Sequence, residues 1–335
     1  FKDLGAFKKA EISIQKAIEL NPALAEAHYN LGNVYGDIGK YHEAEYSQRK
    51  SIELKPDLAE AYISLGNLLI QRRELEEAKE CLTNGIKIKP SWEAYFLLAS
   101  SLFESKEYDS SIENLYKSDS LVDNQFSSVI ETSIAINELS KDNMNKIGNN
   151  KNTTNFNQLI ENKLDRLILS RDVEDELISH LSTIKTNQLS ATKDSRYGDG
   201  MCSDFSLFDD NSQIISNLSD DLILICKKDL GIKNLFICDS FFNIFVSGSG
   251  QPSHNHLKKQ DLHFNLSLFK FSLVYYLEIG DQSGDDPGIL NLHKPEEQIL
   301  PTKGMIVIIP ASRNHSVSYR GKQKRIMVGV NFYGC

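Results

Sequence analysis

A repeat with a period of 34 residues governs the first part of this 335-residue chain. Prolines stand at positions 22, 56 and 90, and the pair Leu31-Gly32 recurs as Leu65-Gly66. A fixed period of this length is typical of a supersecondary unit that buries its apolar face only by stacking on its neighbours. The sequence therefore predicts a solenoid of helical hairpins, with small residues where the two helices of a hairpin cross.

The period of 34 residues and the proline that closes each unit are those of the tetratricopeptide repeat. A third copy, from Trp92 to about Asp123, lacks the closing proline, and we expect the repeat domain to span residues 1–139. The first helix of each repeat is expected to line a groove, where asparagine side chains can hydrogen-bond an extended peptide. The groove residues predicted from their positions in the repeat are Tyr29, Asn33, Ile63 and Asn67. The sequence thus predicts a protein or peptide partner, and a chain that begins inside a repeat is expected to be part of a longer protein.

Residues 140–157 are rich in asparagine and contain almost nothing to bury. Such a stretch cannot offset the entropy of ordering its backbone, so it is predicted to be a linker. Apolar residues return at helical spacing between Gln158 and Ile184. This spacing predicts one or two helices that lead into a second domain, at residues 158–335.

From about Phe236 the apolar period shifts towards two, in short runs separated by Gly, Pro, Asp and Asn. Short runs with this apolar period are typical of strands that pack in two layers. The predicted strands are Phe242–Val246, Phe271–Leu277, Gly288–Leu292, Met305–Ile309, His315–Tyr319 and Arg325–Phe332. The predicted fold class is therefore multidomain, with an all-α tetratricopeptide solenoid followed by an all-β double-stranded β-helix, or jelly roll, and flanking helices.

Composition argues against several partners and compartments. A formal net charge of -9 gives no electrostatic reason to expect nucleic acid or an anionic membrane as the partner. The five cysteines are scattered and never spaced C-x-x-C, so neither a disulfide framework nor a zinc ribbon is indicated. The sequence contains no run of about 18 apolar residues, the length that a membrane-spanning helix needs. We expect a cytoplasmic protein.

Three histidines form a candidate metal site. His254 and His256 alternate along an extended segment, so both imidazoles point to the same side, and His315 opens a later strand. Two histidines and a carboxylate on one face are the ligands of many non-haem iron centres. Here His256 stands at the carboxylate position. Either the site has three histidines, or Asp261 supplies the carboxylate from five residues further along.

Arg325 follows His315 by ten residues. If the last two strands form a hairpin that is symmetric about Gly321, Val317 lies opposite Arg325 and both Arg325 and His315 face one interior. A guanidinium in that interior would form a two-point salt bridge with a carboxylate. The spacing therefore predicts an anchor for an acidic co-substrate near the metal.

These residues resemble, in order and spacing, the 2-oxoglutarate- and Fe(II)-dependent oxygenases that are fused to tetratricopeptide repeats. The resemblance rests on Arg196 to Gly200, Asp239 to Asn243, His254-Asn255-His256, Ser272 to Leu277, Leu300-Pro301, Gly304-Met305, Pro310, His315, Arg325 and Asn331-Phe332. It covers most of residues 190–335 and is strongest in the series from His254 to Arg325.

The resemblance implies Fe(II) and 2-oxoglutarate as cofactors and hydroxylation of a protein or peptide that the repeats recruit. It makes His254 and His315 metal ligands and Arg325 the residue that binds the C5 carboxylate of 2-oxoglutarate. Either Tyr275 or Tyr276 would donate a hydroxyl to the same carboxylate. His256 departs from the family, which has an acidic residue there. Two alternatives stay open: a repeat scaffold with a degenerate barrel, and a three-histidine dioxygenase in which Arg325 anchors the carboxylate of the substrate.

Overall fold

The protein was analysed as a computed structural model that describes residues 4–122, 126–147, 165–188 and 200–335. Contacts divide the chain into two compact units, Phe1–Asp142 and Asn143–Cys335. The predicted fold class is confirmed, because the first unit is built of helical repeats and the second of antiparallel sheets.

Consecutive helices form the first unit. They are α1 (Leu4–Leu20), α2 (Ala25–Asp37), α3 (Tyr41–Leu54), α4 (Ala59–Gln71), α5 (Leu75–Ile88), α6 (Trp92–Glu104), α7 (Tyr108–Asp119) and α8 (Ser127–Ile147). The hairpins α2/α3, α4/α5 and α6/α7 correspond to the three predicted repeats. The predicted linker, 140–157, begins inside α8, and its residues from 148 onward lie outside the described part of the chain.

Glycines allow the two helices of a hairpin to approach closely. A Cβ atom on Gly66 of α4 would lie 2.6 Å from Cγ of Leu82 on α5. A Cβ atom on Gly32 of α2 would lie 2.6 Å from Nε2 of Gln48 on α3. Neither distance is compatible with a larger residue unless the neighbour moves, which explains the Leu-Gly pair in both repeats.

The second unit contains two antiparallel sheets and two described helices. The strands are β1 (Leu167–Ser170), β2 (Asn187–Gln188), β3 (Met201–Cys202), β4 (Leu235–Phe245), β5 (Ser249–His254), β6 (Lys270–Glu278), β7 (Pro287–Leu292), β8 (Glu297–Ile299), β9 (Met305–Pro310), β10 (His315–Tyr319) and β11 (Arg325–Gly334), and the helices are α9 (Asp175–Leu181) and α10 (Gln213–Leu230). The larger sheet has the order β1-β9-β6-β11-β4-β3-β2, and the smaller has the order β5-β10-β7-β8.

The pairing of β4 to β11 is that of a jelly roll. The first of these eight strands pairs with the last, β4 with β11, and the pairs continue inwards as β5 with β10, β6 with β9 and β7 with β8. Each pair closes a longer loop than the next, so the two sheets are interleaved in sequence and face each other in space.

Residues of the larger sheet alternate between two buried faces. On β11, Val328 and Val330 pack against Leu218 and Leu222 of α10, on the outer face. Met327 belongs to the other cluster, which fills the space between the two sheets together with Leu290 and Tyr319 of the smaller sheet. The site described below lies on this inner face.

Two predictions of local structure were wrong. β10 and β11 do not form a hairpin, because β10 lies in the smaller sheet and β11 in the larger. Val317 therefore pairs with Gln251 and Leu290, whereas Arg325 lies opposite Phe245. The lead-in predicted to be helical contains β1, which joins the edge of the larger sheet beside β9 before α9 begins. Residues 158–164 of that lead-in lie outside the described part.

Candidate metal centre and anion pocket

Three buried histidines meet at one end of the smaller sheet. His254 ends β5 and His315 begins β10, and the strand register sets them directly opposite each other, with ring centroids 4.4 Å apart. His256 follows two residues later, where its backbone N–H donates to the carbonyl of Ala311 at 2.9 Å. One ligand nitrogen of each ring lies within 4.8 Å of the others. This spacing fits three imidazoles around one divalent ion.

Backbone carbonyls orient two of these rings in the same way. Nδ1 of His254 donates to the carbonyl of Pro252 at 2.8 Å, and Nδ1 of His315 donates to the carbonyl of Arg313 at 3.2 Å. Each bond leaves Nε2 with its lone pair, as a metal ligand requires. Nε2 of His315 is 3.3 Å from Nε2 of His256. The histidine group therefore fits a metal ion by its donor set and by the bonds that hold its rings.

Burial keeps the imidazole of His315 uncharged. It lowers the pKa of His315 to about 3, and the neighbouring His254 lowers that pKa further in the same direction. An imidazole with such a pKa is neutral at physiological pH. Neutral imidazole is the form that binds metals, so no proton has to be displaced before binding.

The alternative carboxylate, Asp261, is not brought to the histidines. It lies in a short 3₁₀ helix, Lys259–Leu262, and is fully buried. One carboxylate oxygen accepts from Nζ of Lys270 at 2.8 Å and from the backbone N–H of Lys258 at 2.6 Å, and the other accepts from the hydroxyl of Tyr333. The buried ammonium of Lys270 thus binds Asp261, the acidic residue nearest to His256 in the sequence. Among the described residues, the metal-binding group consists of histidines alone.

Arg325 begins β11 and is completely buried on the inner face. Its guanidinium donates to three backbone carbonyls, those of Ile279 at 3.2 Å, Pro287 at 2.7 Å and Gly288. Gly288 has φ +82, and a Cβ atom on it would overlap Nη1 of Arg325. The glycine is therefore required by its backbone conformation and by the close approach of the guanidinium.

No described carboxylate neutralises this buried charge. Burial lowers the pKa of Arg325, and the groups that oppose the shift are two tyrosines. The ring centroids of Tyr319 and Tyr276 lie 4.8 Å and 5.9 Å from Cζ of Arg325. A buried charge that carbonyls and aromatic faces stabilise only in part favours an anionic partner.

Tyr275 and Tyr276 point to opposite faces of the larger sheet. The structure therefore distinguishes two candidates that the sequence alone left equivalent. The hydroxyl of Tyr275 donates to the carbonyl of Asp172 at 2.8 Å and accepts from Arg171 at 3.2 Å, on the outer face. Tyr276 lies on the inner face, where burial raises its pKa to about 12. Its hydroxyl has no hydrogen-bond partner among the described residues. Of the two tyrosines, Tyr276 shares the interior with Arg325.

Strand β10 links the histidine group to the guanidinium of Arg325, because it carries His315 at one end and Tyr319 at the other. His315 and Tyr319 are four residues apart on β10, about 13 Å along the strand, and Tyr319 packs against Arg325. Directly paired residues of neighbouring strands share a face, and His315 lies opposite Leu292, which belongs with Tyr319 to the apolar cluster between the sheets. The metal-type site and the unpaired cation therefore open into one interior between the sheets.

The four groove residues predicted in the repeats are all partly exposed on α2 and α4. Oδ1 of Asn33 accepts from Nε2 of Gln48 at 2.9 Å, and the same nitrogen donates to the carbonyl of Tyr29 at 3.2 Å. Oδ1 of Asn67 is buried and has no hydrogen-bond partner in the part of the chain that the structure describes. Asn33 therefore orders the hairpin through its carbonyl and keeps its amide nitrogen as a donor, whereas Asn67 keeps its acceptor. Ile63 lies against Gly85.

The chain thus combines a first unit of tetratricopeptide-type helical hairpins with a jelly-roll unit that carries a buried three-histidine group. The family models described as "TPR repeat" and "Tetratricopeptide repeat" match residues 2–39 and residues 25–58 and 59–91, respectively. No described helix has the length and apolarity needed to cross a membrane.

Solved structures are similar to parts of this chain. MamA is 26% identical, with a TM-score of 0.39, over 42% of this chain and 77% of its own. A prolyl-4-hydroxylase from Pseudomonas putida is 16% identical, with a TM-score of 0.37, over 50% of this chain and 92% of its own. An oxidoreductase of the 2OG-Fe(II) oxygenase family from Burkholderia pseudomallei is 13% identical, with a TM-score of 0.37, over 55% of this chain and 93% of its own. Comparison with curated proteins gives no match.

Sequence reasoning missed three residues that shape the site. Lys270 binds Asp261, Tyr319 lies against the guanidinium, and Gly288 makes room for it. Gly288 carried a signal, since a glycine inside a predicted strand often marks a close approach of another group. Nothing in the local sequence distinguished Lys270 or Tyr319 from ordinary strand residues. The motif from Arg196 to Asp199 lies outside the described residues.

Proposed function

We propose that the second unit is a 2-oxoglutarate- and Fe(II)-dependent oxygenase, and that it hydroxylates a protein or peptide recruited by the repeats. The observation that carries the proposal is the buried guanidinium of Arg325, which has no acidic partner and opens into the interior that holds His254, His256 and His315. A metal-type site and an unpaired cation in one interior call for a ligand that chelates at one end and carries a carboxylate at the other.

The residues of this chain would divide the work as follows. His254, His256 and His315 would hold the ion, and Fe(II) with 2-oxoglutarate would supply the activation of oxygen for attack on a C–H bond. Arg325 would pair with the distal carboxylate of 2-oxoglutarate. Tyr276, whose hydroxyl lacks a partner, would donate to the same carboxylate. The apolar cluster between the sheets would keep bulk water from the reacting centre.

Recruitment by the repeats rests on the amide groups of the predicted groove. Asn33 and Asn67 stand at equivalent positions of successive repeats, where the amide nitrogen of Asn33 is a donor. Oδ1 of Asn67 is a buried acceptor without a partner among the described residues, and a peptide would reach it after a change of the Asn67 rotamer. Such a pair suits the alternating N–H and C=O groups of an extended peptide. Substrate binding in this groove would deliver a protein or peptide with little sequence preference.

The absence of a carboxylate from the metal group favours a second candidate function. A dioxygenase with three histidine ligands needs no 2-oxoglutarate, and Arg325 would then bind the carboxylate of the substrate itself. Asp261 supports this candidate, because its ion pair with Lys270 withdraws it from the metal. Three neutral ligands also leave the full charge of the ion in the site, which changes its affinity and redox properties.

An anaerobic titration tests the proposal. Metal-stripped protein is titrated with Fe(II) and then with 2-oxoglutarate, and the visible charge-transfer absorption of the chelated complex is recorded. We expect absorption that requires both additions and is lost in Arg325→Ala. The matched control is Arg320→Ala, because the Arg320 side chain is 70% exposed and lies at the surface. Circular dichroism verifies that the variants are folded.

The possible results separate the candidates. Iron binding without the absorption would overturn the use of 2-oxoglutarate and favour the three-histidine dioxygenase. A protein that binds no Fe(II) would overturn both and leave a repeat scaffold with a degenerate barrel. Tyr276→Phe provides a second variant that keeps the packing, so a folding defect in Arg325→Ala does not block the test.

A further inference from the structure

A cavity of about 560 Å³ opens between α1, α2 and α3, at the first junction of the repeat array. Its lining includes the carboxylates of Glu19 and Glu43 and the rings of Tyr35 and Tyr46. None of the described residues that line it is a lysine or an arginine. Carboxylates beside aromatic faces attract a cation with an apolar stem.

At the next junction of the same array, the equivalent position is held by an arginine. Arg49 stands one repeat after Gln15, and its guanidinium lies between two glutamates. Nη2 of Arg49 is 2.7 Å from Glu77 and 2.9 Å from Glu45, and its Nε is 3.1 Å from Glu45. The second junction is thus closed by an arginine of the chain itself.

The first junction has the equivalent of Glu77 but lacks the equivalent of Arg49. Glu43 stands one repeat before Glu77, and Gln15 stands where the next repeat has Arg49. Gln15 donates to the hydroxyl of Tyr35 at 3.2 Å and does not bind Glu43. Glu43 forms no ion pair with any described residue.

The second acid of the pair follows the same pattern. Glu11 stands one repeat before Glu45, which is bound by Arg72 as well as by Arg49. The residue equivalent to Arg72 is Ile38, so this cation is also absent from the first junction. Glu11 instead forms an ion pair with Lys40, with Nζ 3.4 Å from Oε1, so Glu43 is the acid that lacks a cation among the described residues. Both acids are therefore present at the first junction, and both arginines are replaced.

We propose that this cavity binds an arginine side chain of a partner peptide. The guanidinium would pair with Glu43 as Arg49 pairs with Glu77, and its flat face would stack on Tyr46. The methylene stem, and an apolar residue beside the arginine, would pack on Ile18 and Leu31. Arginine fits better than lysine because its planar fork binds a carboxylate at two points and stacks on a ring. The site is separate from the predicted groove and does not rest on the proposed oxygenase activity.

Peptide binding to the full chain tests the proposal. The probe is a capped, fluorescent peptide of sequence Ala-Ala-Leu-Arg-Leu-Ala-Ala, and its match carries citrulline, which keeps the shape of arginine without its charge. Fluorescence anisotropy is measured at low salt. We expect saturable binding of the arginine peptide, and binding of the citrulline peptide weaker by up to about fivefold, the loss of one ion pair at a partly exposed site.

Four variants locate the site. Glu43→Gln should weaken binding by about fivefold, and Gln15→Arg should abolish it by filling the cavity with an internal arginine. Glu77→Gln, at the closed junction, is the matched control and should leave binding unchanged. Arg49→Gln should open an equivalent second cavity and raise the number of peptides bound per chain. Trp92 fluorescence during urea unfolding verifies that the repeats are intact in each variant.

Several results would overturn the proposal. These are the absence of saturable binding, equal binding of the two peptides, and binding that both Glu43→Gln and Gln15→Arg leave unchanged. Binding that is lost in Asn33→Ala but kept in Gln15→Arg would also overturn it, because the peptide would then lie in the predicted groove. None of these readouts requires iron or 2-oxoglutarate, so the outcome is independent of the oxygenase proposal.

Discussion

Replacement of Lys270 by methionine should be among the most damaging single changes in the jelly-roll unit. The Lys270 side chain is 2% exposed and that of Asp261 is fully buried, with Nζ and Oδ2 2.8 Å apart. Methionine keeps most of the volume and removes the ammonium, which leaves a buried carboxylate without its cation. Breaking a buried ion pair in this way costs about 3–5 kcal/mol of unfolding free energy.

A double variant separates the cost of the unpaired charge from the cost of altered packing. Asp261→Asn combined with Lys270→Met removes both charges and keeps an amide oxygen that accepts from the backbone N–H of Lys258, while the amide nitrogen can donate to the hydroxyl oxygen of Tyr333. Buried ion pairs replaced on both sides are often nearly neutral in stability. We expect the double variant to lose less than half of what Lys270→Met loses.

The two units can be monitored separately in this experiment. Trp92 is the single tryptophan and lies in α6, so its fluorescence reports the unfolding of the repeats. Amide hydrogen exchange in β6 and β11 reports the jelly roll. The tryptophan transition should stay at the same urea concentration in every variant. A cost below about 1 kcal/mol for Lys270→Met, or a double variant as unstable as the single one, would refute the reasoning.

Further predictions concern the anion pocket and the pH dependence of stability. Tyr276→Phe should weaken 2-oxoglutarate binding about two- to tenfold in the anaerobic titration, the value of one hydrogen bond, whereas Tyr275→Phe should leave it unchanged. Gly288→Ala should abolish that binding, because the added methyl group overlaps the guanidinium of Arg325; unchanged affinity would contradict the assigned pocket. Burial lowers the pKa of His263 from 6.5 to about 4, so the unfolded state takes up a proton first as the pH falls. Stability should therefore decrease between about pH 6.5 and pH 4, by up to about 1.4 kcal/mol per pH unit from this residue, and His263→Gln should reduce that slope in urea unfolding monitored by circular dichroism.

The repeat unit could be predicted almost entirely from the sequence. A helical hairpin is a local structure, and the period of Leu31-Gly32 and Leu65-Gly66 specifies both its length and the points of close approach. The cavity at the first junction could not be predicted in the same way. It depends on the difference between Gln15 and Arg49, and only the contacts of Arg49 reveal what that difference removes.

The pattern of apolar residues indicated a jelly roll, but it did not indicate which strands pair with each other. Alternation tells which residues of a strand share a face, and it does not tell which strand lies alongside. The sequence therefore predicted most of the strands and wrongly joined β10 to β11. Tyr275 and Tyr276 could not be separated for a related reason, because both faces of the larger sheet are buried, one by α10 and one by the smaller sheet.

The candidate ligands were found because histidines at this spacing are rare in strands, whereas the carboxylate was assigned by distance along the chain. Asp261 lies close to His256 in sequence and is turned away by an ion pair with a residue of β6. Long-range partners of this kind leave no local pattern. The same holds for the three carbonyls that hold Arg325, which come from segments about 40 residues away.

The position of β11 in the larger sheet affects how the protein folds during synthesis. β11 is the last strand in sequence, yet it lies between β4 and β6, which it joins along its full length. Until β11 leaves the ribosome, the facing edges of β4 and β6 have no partner, and unpaired edges of this kind are prone to aggregation. The repeats, whose contacts are local, can fold well before that moment. The nascent chain would therefore carry a folded repeat unit attached to an incomplete sheet, which is the stage at which a chaperone is most needed.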